Sequence, residues 1–111
     1  MTEVHIYRDT EALKLSLTVS GHANTAPKGR DLLCAAVSTL AETFVATAEI
    51  MAEKGDCRCK ADVADGFAEV CCQCETEDAF SVLSVSLGTI KTGFALLESN
   101  YPKNIAVFCT V

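Results

Sequence analysis

The chain has no tryptophan and only two tyrosines in 111 residues. Nucleic-acid bases would find little to stack on. It also lacks a basic face: nine Lys and Arg stand against fifteen Asp and Glu, a net charge of −6. Nucleic-acid binding needs cations to neutralise phosphates, so no direct nucleic-acid contact is expected. Ser, Thr, Glu or Lys interrupt every apolar stretch short of the ~20 residues of a membrane span. The opening MTEVHIYRD has no apolar core of signal-peptide length. These absences lead to the expectation of a cytoplasmic protein with no membrane partner. The acidic balance favours a cationic partner such as a basic peptide.

Seven cysteines are present, an odd number. In a cytoplasmic chain they read as reduced thiols and not as a disulfide framework. Half of the residues are apolar and 22% are charged, a globular composition. The length is that of one domain, residues 1–111.

Periodicity divides the chain. Residues 3–8 read as a short strand. In 11–19, Leu13, Leu15, Leu17 and Val19 alternate with Lys14, Ser16 and Thr18, the period of a half-buried strand. Asp9-Thr10 is the expected turn between them. Residues 21–29 hold Gly, Asn and Pro without periodicity and read as a loop. From Asp31 to Lys54 the apolar residues Leu33, Val37, Leu40, Phe44, Ala48 and Met51 recur every three or four positions, which predicts a long helix stopped at Gly55. Residues 57–64 and 67–74 flank Asp65-Gly66, a strong hairpin signal. A second helix is expected over 78–100, with the stripe Phe80, Leu83, Leu87, Ile90, Phe94 and Leu97, weakened by Gly88 and Gly93. Residues 104–110 close as a strand. The order β-β-α-β-β-α-β predicts an α+β fold, with two long helices packed on one face of a mixed, mostly antiparallel sheet.

The hairpin carries five cysteines. With Ala64 opposite Phe67, Cys59 faces Cys72 and Cys57 faces Cys74, on one face with Ala61, Val63, Ala68 and Val70. A tetrathiolate metal site is conceivable. However, residues i and i+2 of a flat strand lie about 6.5–7 Å apart, and zinc–sulfur bonds of ~2.3 Å need sulfurs closer than about 4 Å. The expectation is that these cysteines are small core hydrophobes, as is Cys109, with Cys71 an exposed thiol. No metal or cofactor is assigned.

The stretch SGHANTAPKGRDLLCAAVS sets His22 after a strand and Cys34 in the first turn of a helix. Helix N-termini carry unpaired N–H groups and partial positive charge, which favour thiolate over thiol and can hold an oxyanion. Asp31 opposes that effect by its charge and is a good N-cap for the N–H of Cys34. Thiol plus imidazole is the minimal set for nucleophilic acyl transfer. A lone loop His is ordinarily polar surface and a lone helical Cys ordinarily core. Spacing alone therefore leaves a Cys–His pair as one option, and it does not separate a protease from a redox switch. His5, on an alternating strand, reads as structural.

Gly21-His22-Ala23, followed by Gly29, Asp31 and Cys34-Ala35-Ala36-Val37-Ser38, closely resembles the motif of the ribosomal-processing cysteine protease family, Prp. The chain length and element order resemble that family across nearly the whole chain. The resemblance implies a homodimeric bacterial cysteine endopeptidase that removes the N-terminal extension of a large-subunit ribosomal protein. It implies Cys34 as nucleophile and His22 as general base and acid. Gly21, Asp31 and Ser38 match motif positions as supporting or substrate-binding residues. Ser38 lies one turn after Cys34 on the same helix face, where it could orient the dyad or the substrate. Asp31 could cap the helix or bind a basic substrate residue. The glycines are expected to let the loop 22–29 move over substrate. Two other classes compete: a non-catalytic ribosome-associated binding module and, behind it, a thiolate metal protein.

Overall fold

Val4 and Ile6 are buried while Glu3 and His5 face outward, and this two-residue period runs the length of β1 (Thr2–Asp9). β2 (Lys14–Ser20) repeats it with Leu15, Leu17 and Val19 inward. The computed structural model describes residues 1–22 and 31–110. The remaining elements are α1 (Leu32–Glu53), β3 (Cys57–Ala64), β4 (Phe67–Cys74), α2 (Glu77–Asn100) and β5 (Ile105–Thr110). Their order is the one expected from periodicity.

The five strands form one sheet in the order β3-β4-β2-β1-β5. β1 pairs parallel with β5, and the other neighbours are antiparallel. Both helices cover the same face. α1 lies over β3 and β4, and α2 packs on β5 and β1 and beside α1. Phe44, Phe94, Leu15, Leu17, Leu33, Leu83 and Ile105 form the fully buried centre. Burying each such side chain is worth roughly 1.5–3 kcal/mol.

Several boundaries differ from the sequence reading. The β1–β2 turn spans Thr10–Leu13 and not Asp9-Thr10, with Asp9 opposite Lys14. The Asp9 carboxylate accepts the N–H of Ala12 at 3.0 Å, and Leu13 takes a φ of 56°. Leu13 therefore leaves the strand, although it still packs against the core. In α1 the buried stripe runs through Ala41 and Val45, while Leu40 and Met51 are half-buried at its margin. Gly93 has a packing role: a Cβ there would come within 2.8 Å of the Leu40 side chain, so the glycine lets the two helices approach. Cys109 is exposed, contrary to the core reading, because it sits near the end of the edge strand β5.

By length and composition both helices are apolar enough to cross a membrane, with mean hydropathies of 1.4 and 1.5. The polar interruptions in each are mostly Ser and Thr, which lower hydropathy little. Their apolar stripes are used against the sheet and each other.

Candidate active site

The helix α1 begins where Asp31, in an extended conformation, turns its carboxylate back to accept the Cys34 N–H at 2.8 Å. Asp31 is thus the N-cap, one of the two roles open to it from sequence. The bond fixes the first turn and holds Cys34, half-buried, at its third position. It also occupies the backbone N–H of Cys34 itself. An oxyanion bound at this helix end must use other donors.

Cys34 opens into a cleft of about 220 Å³ between α1, the end of β2 and the tip of the β3–β4 hairpin. Gly21 and Ser38 line the same cleft, Ser38 one turn beyond Cys34. Glu42 continues the row a further turn on, and Val63, Asp65, Gly66 and Phe67 form the opposite wall. Two carboxylates, Glu42 and Asp65, therefore border the cleft, with apolar surface from Val37, Val63 and Phe67 between them.

The hairpin tip is tied to the strand that leads into His22. The Gly21 N–H donates to the Gly66 carbonyl at 2.9 Å. The His22 ring then lies flush on Gly66: a Cβ at that glycine would fall 2.6 Å from Nε2. Gly66 also has a φ of 73°, so both turn geometry and ring contact require glycine there. Gly21 is constrained as well, with a φ of 89° and the Met1 carbonyl against the place its Cβ would take. Gly66 lines the cleft that Cys34 opens into and carries the His22 ring. His22 does not itself line the cleft; Gly66 is the residue that borders both it and the cleft. The loop over 22–29, read from sequence as a closing flap, lies outside the described residues beyond His22.

Sequence reasoning missed Glu42, Val63, Asp65, Gly66 and Phe67 as cleft residues. Glu42 had a signal, since it shares the helix face of Cys34 and Ser38. The hairpin residues had none beyond their turn chemistry, because their role depends on where the hairpin tip lands. Val63, expected on the core face of the hairpin, is 49% exposed. The hairpin extends past the helices there, and Val63 borders the cleft instead.

The other end of that hairpin keeps the expected register, with Cys59 opposite Cys72 and Cys57 opposite Cys74. Cys57, Cys72 and Cys74 are buried and Cys71 is exposed. Burial, above all, pushes the Cys57 thiol up to about 12, and it raises Cys72 and Cys74 as well. The flat-strand spacing did not keep the sulfurs apart, however: Sγ of Cys57 and Cys59 are 3.8 Å from each other. The side chains lean together. No group of three or more His, Cys, Asp or Glu among the described residues is arranged to hold a metal ion. A larger hollow, about 460 Å³, crosses β1 to β4 at Tyr7, Lys14, Arg58 and Lys60, and no histidine lines it.

The fold is shared with solved structures. The ribosomal processing protease Prp from Staphylococcus aureus, in complex with a covalently linked product peptide, is 21% identical. The match covers 99% of this chain and 100% of that one, with a TM-score of 0.76. The same protease with a substrate peptide is 19% identical over the same shares, with a TM-score of 0.71. A protein from Streptococcus mutans is 24% identical over 99% of this chain and 94% of its own, with a TM-score of 0.67. No curated protein matches. The family described as cysteine protease Prp matches residues 1–106; this chain belongs to that family and is a cysteine protease.

Proposed function

We propose that this protease removes the N-terminal extension of a large-subunit ribosomal protein, with Cys34 as nucleophile and His22 as general base and acid. The observation that carries the reading is the cleft that Cys34 opens into at the start of α1, whose far wall, Gly66, bears the His22 ring. In the Staphylococcus aureus protease of the same fold a substrate peptide and a covalently linked product peptide are bound, in keeping with an acyl-transfer site that takes an extended peptide.

The sulfur of Cys34 attacks the scissile carbonyl carbon after its proton passes to His22. The C–N bond breaks as His22 returns that proton to the leaving amine. The acyl-enzyme is then hydrolysed by a water that His22 deprotonates. Backbone donors other than the Cys34 N–H stabilise the oxyanion, since Asp31 already uses that one. Glu42 and Asp65 favour a basic peptide flanking the cut, and Val37, Val63 and Phe67 an apolar one in the cleft. Ser38, exposed beside Cys34, contacts the substrate. The proposal includes a homodimer and a cytoplasmic location, both following from the family resemblance.

The test is cleavage of a synthetic peptide spanning the N-terminal extension of the ribosomal protein from the same organism, read by mass spectrometry. A single cut made by wild type and lost in Cys34→Ala and His22→Ala is the expected result. A cut that persists in Cys34→Ala would overturn the catalytic assignment. Absence of any cut by folded wild type would overturn the substrate assignment.

A further inference from the structure

The cysteines of β3 and β4 are not used by the proposed chemistry, yet their placement is specific. The hairpin has a two-residue turn, Asp65-Gly66, with Ala64 opposite Phe67. At the far end the Glu75 N–H donates to the Asp56 carbonyl at 2.8 Å. Opposed pairs alternate between hydrogen-bonded and non-hydrogen-bonded along an antiparallel ladder. Counting from either end, Cys59 with Cys72 and Cys57 with Cys74 both fall at non-hydrogen-bonded pairs. There the Cα atoms are about 4.5 Å apart and the side chains closest. That separation is within the range a disulfide spans.

The sulfurs have already met across one of these pairs: Sγ of Cys59 lies 2.8 Å from Sγ of Cys72. Cys59 is also the junction of the cluster, 3.8 Å from the Cys57 sulfur and 3.5 Å from the Ala48 carbonyl on α1. The two partners differ in access. Cys59 is half-buried on the edge strand, while Cys72 is 3% exposed. The 460 Å³ hollow lies on the other, outward face of the sheet, so a small oxidant reaches the Cys59 sulfur along the open edge of β3, where that residue is half-buried. At the other pair, Cys57 and Cys74 are both closed off, at 3% and 2% exposure.

We infer that Cys59 and Cys72 are an oxidation site, forming a cross-strand disulfide when the protein meets a peroxide. The Cys59 sulfur attacks hydrogen peroxide. An S–O bond forms, the O–O bond breaks, and hydroxide leaves to become water with the thiol's proton. The Cys72 sulfur then attacks Cys59 sulfenic acid. The S–S bond forms, the S–O bond breaks, and the hydroxyl leaves as water with the proton of Cys72. Two thiols are oxidised and one peroxide is reduced to two waters. Cys59 is the only half-buried member beside the closed-off Cys57, Cys72 and Cys74, so the reaction starts there and the sulfur contact brings Cys72 into it. The product joins two strands that are already paired and needs no new backbone path. This site is independent of which peptide the protease cuts.

The experiment maps the bond in the wild-type chain, so no variant has to fold. Reduced protein is exposed to hydrogen peroxide, either native or unfolded in urea, then blocked with N-ethylmaleimide and digested with trypsin. Cleavage after Arg58 and Lys60 separates Cys57 from Cys59 and both from the Ala61–Lys91 peptide. The expected native product is the Cys59-Lys60 dipeptide bound through Cys72, formed at least about tenfold faster than in urea, because the fold holds the reactants together. Cys59 recovered fully blocked with maleimide overturns the inference. So does equal bonding to Cys71, Cys72 and Cys74 at the same rate in both states. As a second measurement, native Cys59→Ala should leave Cys72 free. A Cys57–Cys72 bond forming there at the wild-type rate would show that Cys59 is not the entry point and would overturn it too.

Discussion

The two helices begin with the same capping bond and different chemistry. At α2, Thr76 Oγ1 accepts the N–H of Ala79 at 3.0 Å, and Glu77 and Asp78 follow in the first turn. Those carboxylates sit where the helix dipole stabilises them, so this terminus is built for stability. At α1, Asp31 makes the equivalent bond to Cys34, but the first turn holds no acidic residue. Its third position is a half-buried cysteine facing a cleft. At α1 the carboxylate is the cap itself, held on the Cys34 N–H, and the turn behind it faces the cleft. One capped terminus serves the fold alone; under the proposed function the other serves the fold and the chemistry together.

The largest effect expected is at Cys34. Cys34→Ala should reduce peptide cleavage by on the order of 10⁴-fold or more while leaving the melting temperature near that of wild type, since a small half-buried residue is replaced by another. A Tm loss comparable to a core deletion would mean that Cys34 is there for packing, and the contrast between the termini would collapse.

Next comes a pair of glycines that differ in one respect. Gly66 and Gly55 both have positive φ, 73° and 91°. A Cβ at Gly66 strikes the His22 ring, whereas at Gly55 nothing lies within 4 Å. Both alanine variants should lose about 1–2 kcal/mol from left-handed strain. Gly66→Ala alone should also lose cleavage, by roughly 10²-fold, the scale of a displaced general base. Equal kcat/KM in the two folded variants would disconnect the hairpin tip from the site.

Removing each cap sharpens the comparison further. Asp31→Ala and Thr76→Ala should each cost about 1 kcal/mol, readable as a fall in urea midpoint at constant m-value. Only Asp31→Ala should change kcat, because only that cap positions Cys34. The smallest effect belongs to the charges at α2: Glu77→Gln and Asp78→Asn should each cost about 0.3–1 kcal/mol at low salt, fading as ionic strength rises, with cleavage unaltered.

Much of this was legible in the chain, for reasons that differ by element. Leu15, Leu17 and Val19 alternate, and Phe80, Leu83, Leu87, Ile90 and Phe94 recur at helical steps, because burial on one face imposes those periods. The hairpin register followed from Asp65-Gly66 alone, since a two-residue turn leaves one pairing. The cap at Asp31 was legible because capping is local. The β1–β2 turn was misread because Leu13 continues the alternation of the strand while its backbone, at φ 56°, has already left it.

The amino-acid sequence by itself determined the element order, the inward faces, the hairpin register and the family motif around His22 and Cys34. All of these depend on residues near one another in the chain. The tertiary structure decided the rest. It set β5 parallel beside β1. It also brought the hairpin tip onto Gly21 and His22, so that Gly66, Asp65 and Val63 became walls of the cleft. Side-chain direction within the packed hairpin drew the Cys59 and Cys72 sulfurs into contact. The physical reason is that period and turn chemistry are local properties. A contact between distant segments is chosen by the packing of the whole core, which no single stretch of the chain encodes.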